Sequence, residues 1–449
     1  MGVTGEARMK VLVVGGGARE HALTWKLSQS PSVEALYVAP GNAGTASIAT
    51  NLPINVNDLE GLAKAAQDLG IDLTMVGPED PLARGIVDHF TARGLRIAGP
   101  NAAAARIEGS KVWAKEIMTA AGVPTGASRR FTDLDAALDA IATGPIPVVI
   151  KASGLAAGKG VVVATSHQQA EDAVRWMLEA GGLGDAGREI LIEEFLTGRE
   201  VSLLVLTDGE TIYPLIPACD YKRVGEGDTG PNTGGMGTYA PVPVMPEEAI
   251  QQVLDELIRP VLAEMRSRGI TYRGVLYAGL ILTPDGPKVL EFNCRFGDPE
   301  TEVVLPLLES DLAALLDAAA RGCLADVPPP SWKPGACVGV VLASPGYPGS
   351  YPTGHPIQGL QDLAGDILAF HAGTGFNDAG EVVTRGGRVL TLVAVGTDFA
   401  DSRERVYQAV SQVTFEGAHF RRDIAAREVA PVPAEPEEAL VPVRARSRS

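Results

Sequence analysis

Cysteine is scarce in this 449-residue chain, and the four present, Cys219, Cys294, Cys323 and Cys337, are scattered without CxxC spacing. That pattern supports neither a disulfide framework nor a cysteine zinc site. No apolar run approaches the length of a membrane-crossing helix, and the first residues hold no apolar targeting segment. Positive charge is also short: 38 Lys and Arg stand against 55 Asp and Glu, a formal net charge of -17. This disfavours non-specific binding to nucleic acid, though not a local basic pocket for a phosphorylated metabolite. A cytoplasmic protein without membrane or nucleic-acid partners is the expectation. No repeat organises the chain.

What is present is a globular composition, 45% hydrophobic with 52 glycines and 32 prolines, long enough for several domains joined by sharp turns. After a short extension, KVLVVGGGAREHALTWKLSQ reads as strand, glycine turn and helix. ALYVAP is a strand, NDLEGLAKAAQDLG a helix, DLTMVGPEDPLARG strand and loop, GIVDHFTARG a helix and LRIAGP a short strand. The alternation predicts a parallel, doubly wound α/β domain over roughly residues 10 to 102. Its glycine run invites a dinucleotide reading. Gly15 and Gly17 match the first two glycines of GxGxxG, but Glu20 stands at the third and the next strand lacks a ribose-gripping acid. A different anionic substrate, or a purely structural turn, fits the same residues.

VVIKASGLAAGKGVVVA, residues 148 to 164, places Lys151 on one apolar run and Gly154, Gly158, Lys159 and Gly160 before another. Glycines let backbone N-H groups approach phosphate, and lysine adds a point charge. A Walker A loop needs four residues before GK and then Ser or Thr opening a helix. Here three residues intervene and VVVA reads as strand, so the segment predicts a flap over phosphates. TDLDAALDAIA before it and SHQQAEDAVRWMLEA after it are helical, which suggests a small lid-like domain at 124-190.

Downstream, GEGDTGPNTGGMGTY is a glycine-rich loop too long for an economical hairpin and therefore a functional candidate. EEAIQQVLDELIRPVLAEMRSRG reads as one long helix, and TPDG as a hairpin turn between apolar runs. Glu291, Asn293 and Arg295 stand two apart, so strand alternation directs all three to one face. Glu291 and Asn293 offer oxygen ligands suited to Mg2+, with phosphate oxygens completing its shell. Arg295 could clamp a phosphoryl oxygen through its forked donors. Lys115 sits on an amphipathic helix, where an exposed lysine is the plain alternative. Glu193 and Glu194, beside apolar residues, suit the rim of an adenine slot.

Eight stretches in order carry a resemblance: GGGAREHA at 15-22, PGNAGT at 40-45, VGPEDPL at 76-82, GSKVWAK at 109-115, IKASGLAAGKGV at 150-161, KRVGEGDTGPNTGGMG at 222-237, EFNCRFGDPE at 291-300 and FHAGT at 370-374. From about Lys10 to about Arg427 the chain resembles the phosphoribosylamine-glycine ligases of the ATP-grasp superfamily. The resemblance implies a multidomain α/β protein: an α/β substrate domain and linker at 10-123, the lid at 124-190, the main ATP-grasp subdomain at 191-329 and a β-rich C-terminal domain at 330-427; outside it fall an extension at 1-9 and a Pro/Glu/Arg-rich tail at 428-449, which its composition reads as disordered. It implies a carbon-nitrogen ligase joining glycine to 5-phospho-β-D-ribosylamine with ATP and Mg2+, or Mn2+ in its place, in the second step of de novo purine synthesis. A monomer is implied, in transient contact with the enzyme supplying the amine.

By motif match, Lys115, Lys151, Gly154, Gly158, Lys159 and Gly160 would contact ATP phosphates. Glu193, Glu194, Phe195 and Leu196 would bracket adenine, Glu200 would touch ribose, and Glu291 and Asn293 would hold the metal. Gly16, Gly17, Gly41, Asn42, Ala43, Gly44, Lys222, Gly234 and Gly235 would surround the amine and glycine, with Asp220, Lys151 and Arg295 in catalytic roles. His371 is expected to be structural or substrate-orienting. Another ATP-grasp ligase or carboxylase of purine synthesis is the nearest rival, and a catalytically retired nucleotide sensor the rival from another class.

Overall fold

The computed structural model describes residues 8-156, 160-179 and 181-429. Gly158 and Lys159 lie outside the described residues, as do residues 1-7 of the extension and 430-449 of the tail. Glu428 and Val429, expected in that tail, belong to the short helix Ala426–Val429.

The first sheet is parallel, in the order Thr50–Asn51, Val33–Pro40, Met9–Gly15, Leu73–Val76, Ile97–Ala98. Its central strand buries Val11 through Val14 completely, as a parallel strand covered on both faces requires. The helix Leu59–Leu69 starts at Asp58, whose side chain accepts from Gly61 N, and stops at Gly70 in the left-handed region. After Val76, where strand and loop are predicted, the chain forms the helical turn Glu79–Ala83. Glu79 and Asp80 in its first turn favour a helix N-terminus, and Pro81 needs no intrahelical N-H there.

The lid is a four-stranded antiparallel sheet, ordered Ser128–Phe131, Ile190–Glu194, Val148–Ala152, Val161–Ala164. Helices Leu134–Thr143 and His167–Leu178 cover it and close a separate small core of Ile141, Ile150, Val174, Met177 and Ile190. A unit with its own core can move as a body. The body's sheet is antiparallel, ordered Ile212–Pro214, Arg199–Thr207, Gly274–Thr283, Gly286–Asn293. The predicted hairpin is present, with Thr283 paired to Gly286, and its return strand ends at Asn293. Register shifts at Leu280, leaving Leu290 unpaired opposite Gly279. The strand's end at Asn293, and not this shift, keeps strict alternation from carrying on to Arg295, which lies beyond it.

A fourth sheet, antiparallel, joins Cys219–Asp220 and Gly237–Ala240 to Ala336–Ala343, Arg388–Gly396 and Ile367–His371. The glycine-rich stretch between its first two strands is partly ordered as the hairpin of Arg223–Gly225 and Thr229–Asn232. The long helix is interrupted by a π-turn at Leu254–Ile258, between Glu247–Val253 and Arg259–Ser267. Pro260 just beyond explains it, because its ring and missing N-H cannot complete an α-helical ladder. Among the described residues no helix is long and apolar enough to cross a membrane.

Candidate active site

A cavity of about 460 Å³ opens between the lid, the first domain and the body's sheet. Ten residues singled out from sequence line it: Lys115, Lys151, Gly160, Glu193, Asp220, Lys222, Gly234, Glu291, Asn293 and Arg295. Missed from sequence were Arg19, Glu79, Glu108, Lys111, Asp298, Glu300 and Arg388, which line it too. Lys111 was findable. It stands four residues before Lys115, and one helix, Lys111–Ala120, capped by the Ser110 hydroxyl accepting from Trp113 N, presents both.

The lysines converge on carboxylates. Lys115 is buried rather than exposed, donating to Thr125 Oγ1 at 2.7 Å and Gly126 O at 3.0 Å. Its ammonium is 3.4 Å from Glu193 Oε1, while Lys151 Nζ is 2.8 Å from Glu193 Oε2 and donates to Leu290 O at 3.1 Å. The Glu193 carboxylate, expected at an adenine rim, thus neutralises two lysines; Glu194 Oε2 instead accepts from Ala127 N. Burial lowers the Lys115 and Lys111 pKa values, only partly opposed by nearby carboxylates. Burial alone would raise the Glu291 carboxyl, but Lys222, Lys151 and Lys111 outweigh it and hold the group below its ordinary range. An ionised Glu291 beside the Asn293 amide is an oxygen donor pair of the kind Mg2+ accepts. Among the described residues no cluster of three or more His, Cys, Asp or Glu could hold a metal ion. The pair therefore fits a cation whose remaining ligands are water and substrate phosphate.

Arg295 is engaged within the protein, at 3.3 Å from Glu79 Oε2 and 3.0 Å from Glu108 Oε1. Burial raises the Glu108 carboxyl despite Arg295, whereas Arg295 and Arg19 overcome burial at Glu79 and lower it. Lys222, also in the cavity lining, lies 2.8 Å from Glu200, expected at ribose, and 3.9 Å from Asp220. Burial pushes Asp220 up to about 7, Lys222 opposing and Glu300 and Glu200 adding. Arg388 donates to Gly234 O at 2.6 Å and pairs with Asp298 at 2.9 Å. Gly235 has φ +111, and a Cβ there would stand 2.4 Å from Pro299 Cδ.

The remaining predicted residues that the structure describes fall outside the cavity lining. Gly154 is tied to the lid by its N-H to Ala186 O; Phe195 is exposed and Leu196 partly so. Gly16, Gly17, Gly41, Asn42, Ala43 and Gly44 gather at the C-terminal ends of the parallel strands. Asn42 Nδ2 donates to Gly16 O at 3.0 Å and His371 O at 2.6 Å, and His371 N donates to His21 Nδ1 at 2.9 Å. Burial lowers His21 to about 3, with His371 adding, and lowers His371 to about 4. The Gly17 N-H is taken by Glu20 Oε2 at 2.5 Å, so the third-glycine position of a dinucleotide turn is filled by an acid.

Three family models match in succession: Phosphoribosylglycinamide synthetase, N domain, over residues 9–108; its ATP-grasp (A) domain over 109–301; and its C domain over 337–427. The chain is 50% identical over 423 residues to a phosphoribosylamine–glycine ligase of Nostoc sp., covering 93% of this chain and 99% of the relative. It is 48% identical over 427 residues to that of Vibrio cholerae, covering 94% and 99%. The crystal structure of phosphoribosylamine–glycine ligase from Thermotoga maritima superposes with a TM-score of 0.80 at 32% identity, covering 92% of this chain and 99% of that one. A biotin carboxylase from Campylobacter jejuni, at 15% identity and TM-score 0.68 over 94% and 95% of the two chains, shares the fold.

Proposed function

The chain belongs to the phosphoribosylglycinamide synthetase family, and from that membership and the cavity's geometry we propose that it ligates glycine to 5-phospho-β-D-ribosylamine. ATP is consumed, and glycinamide ribonucleotide, ADP and phosphate are the products, the second step of de novo purine synthesis. The observation that carries this reading is the meeting of Lys111, Lys115 and Lys151 with Glu291 and Asn293 in one cavity that Asp220 and Lys222 also line. The lysines and the Glu291–Asn293 pair suit polyphosphate, and Asp220 with Lys222 suits a zwitterion and an amine.

Glycine's carboxylate attacks the γ-phosphoryl group and ADP leaves. The ribosylamine nitrogen then attacks the acyl carbon, the amide C-N bond forms, and phosphate departs. Lys115 and Lys151 neutralise phosphate oxygens as charge moves, where a low-polarity cavity strengthens each contact. When bound, Mg2+ held by Glu291 and Asn293 supplies further charge neutralisation to the phosphates; Mn2+ suits the same oxygen donors. Asp220, its pKa near 7, accepts the proton the attacking amine releases. Arg295, pinned by Glu79 and Glu108, offers donors at a fixed place to the phosphoryl or acyl oxygen. Closure of the lid, which carries Gly154 and Gly160, keeps water from the acyl phosphate. Gly16, Gly17, Gly41, Asn42, Ala43, Gly44, Gly234 and Gly235 border the ribosylamine, and Glu194, Phe195, Leu196 and Glu200 the nucleoside. A cytoplasmic monomer that meets the amine-producing enzyme transiently completes the reading.

A mass-resolved assay with Mg-ATP, glycine and ribosylamine generated in place from ribose 5-phosphate and ammonia tests it. Amide and ADP should appear one for one, with neither formed when glycine is omitted. ADP without amide would move the assignment to a different ATP-grasp ligase.

A further inference from the structure

The hairpin Arg223–Asn232 ends at both sides in the cavity wall, through Lys222 and Thr233. Lys222 O accepts from Thr233 N at 2.7 Å and from Thr233 Oγ1 at 2.9 Å, so the two wall residues are set by the hairpin's base. Residues 226-231 of the hairpin are exposed, and a lone two-stranded hairpin has little stability of its own. Something else must fix it.

Arg421 does so from far along the chain. Its side chain is 1% exposed, and its donors reach three separate acceptors. Nη1 donates to Arg223 O at 3.0 Å and Asp228 Oδ1 at 2.9 Å, while Nε and Nη2 donate to Asp423 at 2.8 and 2.6 Å. Asp423 in turn accepts from Gly227 N at 2.9 Å, so base and tip are held from one guanidinium. The same group lies over the Tyr221 ring at 4.8 Å, and His419 Nε2 meets Val224 O at 2.9 Å. A lysine has neither the fork nor the number of donors to make these contacts together.

We propose that Arg421 is a positioning residue for the ligase reaction, holding Lys222 and Thr233 in place through the hairpin that it clasps. This rests on the ligase reading above. The C-terminal segment thereby acts on Lys222 and Thr233, and through Lys222 on the part of the cavity read above as receiving glycine and the amine.

The test compares Asp228→Asn and Arg421→Lys in the full chain. Asp228 is 66% exposed in its side chain and has φ +55, a backbone that asparagine tolerates, so Asp228→Asn loosens the clasp without threatening the fold. Both variants should raise KM for glycine or ribosylamine about fivefold or more, leave KM for ATP within about twofold, and speed hydrogen exchange of the 223-232 amides. Exchange and KM values matching the parent in Asp228→Asn would overturn the proposal, as would a uniform loss tracking the melting temperature. If the parent protein itself forms no amide, the ligase reading fails separately, and unchanged exchange still overturns the clasp.

Discussion

Lys151 Nζ stands 2.8 Å from Glu193 Oε2, and Lys115 reaches the other oxygen of the same carboxylate at 3.4 Å. One acid balances two lysines where phosphate is expected. Glu193→Gln should leave two inward ammonium groups facing each other and lower stability on the order of 3 kcal/mol. Saturating ATP should recover more stability in this variant than in the parent, because phosphate replaces the lost charge. Denaturant titration with and without ATP measures both; equal stability without ATP would remove Glu193 as the balancing charge.

Glu291→Ala should reduce kcat on the order of 100-fold, measured well below a melting temperature that itself falls, because Lys222, Lys151 and Lys111 lose this carboxylate. The divalent ion concentration giving half-maximal rate should rise with it. Near-normal turnover and an unchanged ion requirement would sink the assignment of Glu291 as a metal ligand.

Asp220 is the group whose ionisation falls in the working range, near 7. The rate should rise with pH through about 7 and flatten above, and Asp220→Asn should remove that limb. Stability runs the other way. The folded form binds this proton more tightly than the unfolded one, so its contribution is full below the ordinary carboxylate pKa and lost as pH rises toward 7. A rate profile in Asp220→Asn with the same rising limb would exclude it as proton acceptor.

His21 and His371 are held neutral by burial, at about 3 and about 4. On unfolding both regain an ordinary imidazole pKa and bind protons, so stability is full above about 6.5 and falls as pH drops toward 4. Melting temperatures recorded from pH 7.5 down to 5 should decline. A His371→Asn variant, if it folds, should decline less steeply; an identical slope would clear His371 of the effect.

Local patterns revealed much of this molecule. Alternating apolar runs and helix periods disclosed the parallel sheet around Val11–Val14, TPDG the hairpin of the antiparallel body sheet, and the glycine-lysine stretch the two strands of the lid that flank it. Glu291 and Asn293 followed from strand spacing alone. Arg295 reaches the same cavity by a different route, because the strand ends before it and Glu79 and Glu108 from the first half of the chain hold its fork. No local pattern encodes such pairings. Glu193 shows the same limit: its apolar neighbours suggested an adenine rim, and only the fold brings Lys115 and Lys151 to either side of it. The π-turn was within reach, since Pro260 sits openly inside an otherwise regular helical pattern.

The bond from Lys151 to Leu290 O joins a lid strand to a body strand across the mouth of the cleft. Every opening must therefore separate an ammonium from a carbonyl on the opposite wall. Opening of the cleft and loss of this bond are one event, so an anion that draws Lys151 away from Leu290 O loosens the two walls from each other.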